Sequence, residues 1–262
     1  KEAIEKMHNH AHGEIPHKII EVDNIIVESF LGRIADPEKA ANELLHCIKN
    51  PAFRTIMIIG LKPLSLKDGI KDSKNIPFQK LYNTITKAVT DNVGSVVRKN
   101  SKSFLVSFQS VSKAIECAMH IQSNAIAFSK TNVGITIGID AGVPVAEADG
   151  FFEATIKSAQ RMSDFVKGNI VVSAEVKLLY EQENPNHTID LSKIRTVNSA
   201  EEKLLNHLID YLDQSSQRTD LHVAAFCTEL GLSKSQFYRK LIKITNQSPN
   251  LFLKSFRLQK SL

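Results

Sequence analysis

Between about residues 50 and 182, short apolar runs alternate with stretches whose apolar residues are spaced as on a helix. Thr55-Ile-Met-Ile-Ile59 is a compact apolar run suited to a buried strand. Phe78, Tyr82, Ile85 and Val89 then recur every three or four residues, as one helix face requires. Asn92-Val-Gly94 is a turn signal leading into Ser95 to Arg98 and Ser103 to Phe108, two strands that can form a hairpin through Lys99 to Lys102. The pattern next predicts a helix from Val111 to about Ala125, with Ala114, Cys117, Ala118 and Ile121 inward. A long strand region (Val133 to Val145), a helix (Glu153 to Val166), a strand (Ile170 to Val172) and a helix (Glu175 to Glu181) follow. Helices mixed with hairpins indicate an α+β fold.

The flanks read differently. Asp36-Pro37 is a cap-and-Pro helix start for residues 36 to 50. Gln182 to Thr188 is polar and turn-rich, and Asp190 to Ser199 continues it as an expected linker. Leu204, Leu205, Leu208, Ile209 and Leu212 then mark a helix, and Val223, Phe226, Cys227 and Leu230 a second. Gly231 ends that helix, since Gly takes the left-handed conformation cheaply. Leu232 plugs the turn and Ser233 can cap the next helix, Lys234 to Ile244, which buries Phe237, Leu241 and Ile244. Ser235, Gln236, Arg239, Lys240 and Lys243 remain on its outer face. Ser248-Pro249 opens a further helix with a capping hydroxyl and Pro in first position.

Charge changes the picture. Seven of the 33 Lys and Arg, and none of the 28 Asp and Glu, fall in the last 33 residues, so a chain of net charge +5 is slightly acidic before Leu230. A localised basic segment attracts polyanions and releases counterions on docking. Its outward Ser, Gln, Arg and Lys are side chains that donate to base edges and phosphates, and a second helix presented in this way fits the major groove of double-stranded DNA. Gln236 and Arg239 are placed for base readout, and Lys243 and Lys254 for phosphates. Cys47, Cys117 and Cys227 are scattered in apolar helical contexts, which reads as buried thiols in a cytoplasmic protein. No apolar run approaches the ~18 residues of a membrane span, so no membrane partner is expected.

From about Glu201 to the C-terminus, the wording "LGLSKSQFYRKLIKITNQSPNLFLKSFRLQ" resembles the first half of the AraC-type DNA-binding domain. Where that family has Gly, Asn246 stands, the next most tolerant residue for a left-handed turn. The family has two helix-turn-helix units, and the sequence stops at Leu262, inside the helix that joins them. The resemblance implies a transcription regulator.

The middle of the chain is similar to the class III nucleotide cyclase domain, on "FLVSF" preceded by a hairpin, "GITIGIDAGVPV", "ATIKSAQRM" and "GNIVVSAEV" in family order. The resemblance implies a ferredoxin-like cyclase-homology fold and head-to-tail homodimers. Family enzymes hold two divalent metals on two aspartates. The first position is Gly60 here, and the second falls in Ser101-Lys102-Ser103. A hard divalent cation needs oxygen donors, and Lys102 would repel it. The resemblance therefore implies no catalytic residues and a pseudo-cyclase, not an enzyme; an active cyclase with atypical metal ligands is the alternative. The family's ribose-orienting Asn is Lys157 and its transition-state Arg is Arg161, four residues apart on one helix face. They form a candidate site for a small anionic or nucleotide ligand. Asp140 and Asp149 are the nearest carboxylates by sequence but occupy neither metal position.

At the N-terminus, His8 and His12 are one helical turn apart, a spacing that lets two imidazoles share a divalent metal. "HNHAHG" followed by "IIEV" resembles the end of a small ferredoxin-like domain, some members of which bind nickel, so a nickel-like metal is the one cofactor that this segment suggests. The expected organisation is a remnant of that domain over 1–35, a degenerate cyclase-like domain over 36–182, a linker over 183–199 and a partial AraC-like unit over 200–262.

Overall fold

The computed structural model describes residues 53–63, 76–125, 133–143, 152–185, 192–214 and 223–261. The His8 and His12 pair, Asp149, Cys47 and the helix expected over 36–50 lie outside the described residues. Nearly all described residues belong to one compact unit, Arg54–Ala141 with Glu153–Leu262.

That unit is α+β. The strands are β1 (Arg54–Pro63), β2 (Ser95–Lys99), β3 (Ser103–Phe108), β4 (Val133–Gly142), β5 (Ile170–Ser173) and β6 (Ile194–Val197). The helices are α1 (Ile76–Asp91), α2 (Val111–Ala125), α3 (Glu153–Phe165), α4 (Ala174–Glu183), α5 (Ser199–Gln214), α6 (Val223–Glu229), α7 (Lys234–Thr245) and α8 (Pro249–Ser261). The sheet order is β2-β3-β1-β4-β5-β6. Its first four strands, connected β1-α1-β2-β3-α2-β4, have the split βαβ arrangement of a ferredoxin-like fold. β3 is antiparallel to both β1 and β2, whereas β4, β5 and β6 pair in parallel through crossover helices α3 and α4. Strands covered on both faces need near-continuous apolar sequence, and Ile56 to Ile59 and Ile170 to Val172 supply it, each residue being buried.

One element departs from expectation. The stretch read as a linker contains β6, with Ile194 opposite Ile170 and Val197 opposite Ser173. Four residues at a sheet edge give too short an apolar signal to stand out beside a turn-rich segment, and the strand is specified by its pairing with β5. With β6 in the sheet, the C-terminal helices do not hang from a tether. Met162 and Val166 of the α3 region, Val171 and Val197 share one hydrophobic core with Leu205, Leu208 and Ile209 of α5, Phe237, Leu241 and Ile244 of α7, and Phe252 and Phe256 of α8. Fully burying a large apolar side chain is worth about 1.5–3 kcal/mol, against about 0–1 kcal/mol for an exposed ion pair. The shared core therefore dominates this joint.

α3 lies tightly on the sheet. A Cβ on Gly138 of β4 would come within 2.1 Å of the Ala159 carbonyl oxygen, so only Gly permits this approach.

Candidate nucleic-acid interface and the sites around it

α6 and α7 are joined by the four residues Leu230 to Ser233. The Leu232 N–H donates to the Cys227 carbonyl (2.9 Å) and the Gly231 N–H to Thr228 (3.1 Å), a Schellman closure in which Gly231 has φ 59°. Ser233 then caps α7: its hydroxyl accepts from the Gln236 N–H (3.2 Å), and the Gln236 side-chain oxygen accepts from the Ser233 N–H (3.0 Å). α7 ends at Asn246, left-handed at φ 59°. Phe237, Leu241 and Ile244 face inward, and Phe226 packs edge-on against Phe237 at 5.0 Å.

The opposite face of α7 is open. Ser235, Gln236, Arg239, Lys240 and Lys243 are exposed, as is Lys254 on α8. Besides the contact of the Ser235 hydroxyl with the Ser233 hydroxyl at 3.2 Å, two of these have partners. Gln236 closes the capping box just described, and Lys243 lies 3.0 Å from Glu201. The Ser-x-x-Gln spacing of residues 233 to 236 was the sequence signal for the first. Nothing local signalled the second, since Lys243 and Glu201 are 42 residues apart.

Glu201 is a junction. Its carboxylate accepts from Arg195 of β6 at 3.0 Å and from the Asn198 N–H at 3.4 Å, while its own N–H donates to the Asn198 side chain at 2.9 Å. Burial alone would raise its pKa. The hydrogen bond from Lys243 and the charge of Arg195, with the Asn198 and Lys243 contributions, outweigh burial and hold it below the ordinary value.

At the two positions that the cyclase resemblance assigns to metal ligands, Gly60 is opposite Ser103 across the β1–β3 ladder, and the Leu61 N–H donates to the Lys102 carbonyl at 2.7 Å. The two positions are thus brought together, and neither carries a carboxylate. The Asn100 side chain accepts from the Lys102 and Ser103 N–H groups, both at 2.8 Å, and shapes the hairpin. Among the described residues, no group of three or more His, Cys, Asp or Glu could hold a metal ion. Two residues along, Lys62 donates to the Ser163 and Asp164 carbonyls (3.0 and 2.8 Å), a cation on the C-terminal turn of α3. Burial lowers its pKa, and Asp164 partly opposes that.

Lys157 and Arg161 share α3, as expected, and both are engaged. Lys157 pairs with Glu153 one turn back. Arg161 reaches α5, where Nη1 donates to Asn206 at 2.8 Å and Nη2 pairs with Asp210. Asp140, at the end of β4, is buried; its carboxyl accepts from the Ala141 N–H at 2.9 Å. Burial and the nearby Glu175 push its pKa up to about 6, against hydrogen bonds from Ser173 and Ser158. Cys117 is a buried thiol, pushed up by burial to about 12.

The described residues define an α+β protein with a ferredoxin-like sheet layer and a helical C-terminal part sharing its core. No family model matches the chain, and no curated protein does. Among solved structures, an adenylate/guanylate cyclase/hydrolase from Silicibacter pomeroyi is similar at 22% identity and a TM-score of 0.41, covering 50% of this chain and 80% of that one. No helix among the described residues is long and apolar enough to cross a membrane.

Proposed function

We propose that the chain is a DNA-binding transcription regulator in which α6, the turn and α7 act as a helix-turn-helix, with α7 entering the major groove. The carrying observation is the two-sided character of α7. One side is anchored by Phe237, Leu241 and Ile244, and the other offers Ser235, Arg239 and Lys240 to solvent, in a segment without a carboxylate from Leu230 onward. A recognition helix needs both, because base readout requires side chains held in register by a rigid support. Arg239 is the base reader of this reading. Lys240 and Lys254 serve phosphates, and Lys243 joins them when it leaves Glu201.

The sheet layer, in this reading, is a cyclase-like domain without metal-dependent chemistry. Gly60 and Lys102 supply no anionic ligand where two metals would need them. It serves as the platform on which α5 to α8 are built and, as the resemblance implies, as a homodimer contact that multiplies affinity for paired half-sites.

Selection of duplexes from a random pool tests the reading. The protein should enrich a preferred sequence, and Arg239→Ala should cost about 1–3 kcal/mol on that sequence while relaxing its preference. An Arg239→Ala protein with unchanged affinity and preference would remove α7 as the reading helix.

A further inference from the structure

A concave region of about 820 Å3 lies where β5 and β6 begin, and neither Gly60 nor a residue of α7 is among its lining. Lys167, Lys177, Lys193 and Arg195 line it, and among the described residues no Asp or Glu does. Asn169 and Ser192 add polar groups. Lys177 also pairs with Glu181 at 3.6 Å and Arg195 with Glu201 at 3.0 Å, both carboxylates lying outside the lining. Four positive side chains lining one concavity favour an anion held among them. Ordinary surface cations scatter on convex faces; these four come from the α3–β5 loop, α4 and the start of β6. The volume is that of a small-molecule site.

We propose that this pocket binds a small phosphorylated ligand carrying two or more negative charges. Arg195 and Lys167 give such a ligand a route to α7. Arg195 shares the Glu201 carboxylate with Lys243, and the Lys167 N–H donates to the Ile244 carbonyl on the last turn of α7 at 2.8 Å. A ligand that draws Arg195 away leaves Glu201 to Lys243 alone and tightens the hold on a cation facing DNA. The binding site itself does not depend on the DNA-binding reading; only this route rests on it.

The probe is inorganic pyrophosphate, titrated into the whole chain at constant ionic strength and followed by thermal unfolding and calorimetry. The expected result is saturable binding with a rise in melting temperature, weakened at least tenfold in the Lys167→Gln, Lys193→Gln double variant and unchanged in Lys157→Ala. Both substituted side chains are exposed, so the double variant without ligand should melt with the wild type, which separates lost binding from lost folding. Absence of saturable binding in the wild type, or equal binding by the double variant, overturns the proposal. A generic duplex titrated against both proteins distinguishes the other source of phosphate. If the double variant has a shallower salt dependence for duplex and the wild type ignores pyrophosphate, the cations contact a nucleic-acid backbone and the small-ligand site is rejected. A protein that binds pyrophosphate through these lysines and binds no duplex keeps the pocket and loses the regulator reading.

Discussion

Arg161 of α3 and Asp210 of α5 form an ion pair across the joint between the sheet layer and the C-terminal helices, and Asn206 accepts from the second terminal nitrogen of the same guanidinium. The arginine that the sequence offered as an anion ligand thus ties two helices 45 or more residues apart. Arg161 is 15% exposed and Asp210 55%, so removing the two partners is not equivalent. Arg161→Ala leaves Asn206 unpaired and strips a packed stem from the joint, with an expected loss of about 1.5–3 kcal/mol. Asp210→Ala removes a mostly solvated carboxylate and should cost under about 1 kcal/mol. Urea unfolding of both variants checks this ordering, and equal losses would contradict it.

Gly60 faces α3 at close range. An added Cβ there would lie 2.8 Å from Thr136 Oγ1 and 2.9 Å from Ser163 Oγ, which are themselves 3.1 Å apart. Gly60→Asp must therefore displace both hydroxyls and place a charge between β1 and α3, at a cost on the order of 2–4 kcal/mol. The expected outcome for Gly60→Asp with Lys102→Asp is a destabilised protein without cyclic nucleotide production from ATP or GTP, with magnesium or manganese. The wild type should be equally inactive. Cyclic nucleotide formed by the wild type and abolished by Arg161→Ala would reverse the pseudo-cyclase reading.

Two carboxyls give opposite pH dependences. Asp140 has a folded pKa raised to about 6 from an ordinary 3.8. Its contribution is fully present below the unfolded value and is lost as pH rises through about 6, a change on the order of 2–3 kcal/mol. Glu201 has a lowered folded pKa, so its contribution is present above the ordinary value near 4.5 and is lost as pH falls below it. Asp140→Asn keeps an acceptor for the Ala141 N–H and cannot ionise. It should stabilise the protein at pH 7 to 8 and flatten the decline between about pH 4 and 6. Unfolding curves across that range decide it: a variant parallel to wild type would show that Asp140 titrates normally.

The local grammar of the chain was legible where one residue type has one physical use. Ser233 as a cap, Gly231 in a left-handed turn, and the inward Phe237, Leu241 and Ile244 follow from propensity and period alone, whereas the left-handed turn at Asn246 came from the resemblance. The inward Ala114, Cys117, Ala118 and Ile121 of α2 did so too. β6 was missed because Ile-Arg-Thr-Val becomes a strand only by pairing with Ile170 to Ser173, a relation that no window along the sequence contains. The same holds for Arg161 with Asp210 and for Glu201 with Lys243. Residue type offers these side chains to ligands, and the tertiary fold pairs several of them with each other. The Gln236 capping role was visible in the Ser-x-x-Gln spacing, and the attraction of a polar residue on a basic helix obscured it.

That double assignment of Gln236 can be resolved with one substitution. Its side-chain oxygen accepts the Ser233 N–H at 3.0 Å, and losing the reciprocal cap by Gln236→Ala should cost about 0.5–2 kcal/mol with or without DNA. Gln236→Glu separates the two roles, because a carboxylate can accept the same N–H and favours the positive N-terminus of α7. Stability should therefore be retained or slightly raised. On DNA the same carboxylate would stand among phosphates on the face that carries Arg239 and Lys240, so duplex affinity should fall, most steeply at low salt where repulsion is least screened. Retained stability with lost affinity would place position 236 at the DNA surface with a structural oxygen. Retained stability with unchanged affinity would make Gln236 a cap alone and move the reading edge of α7 toward Arg239.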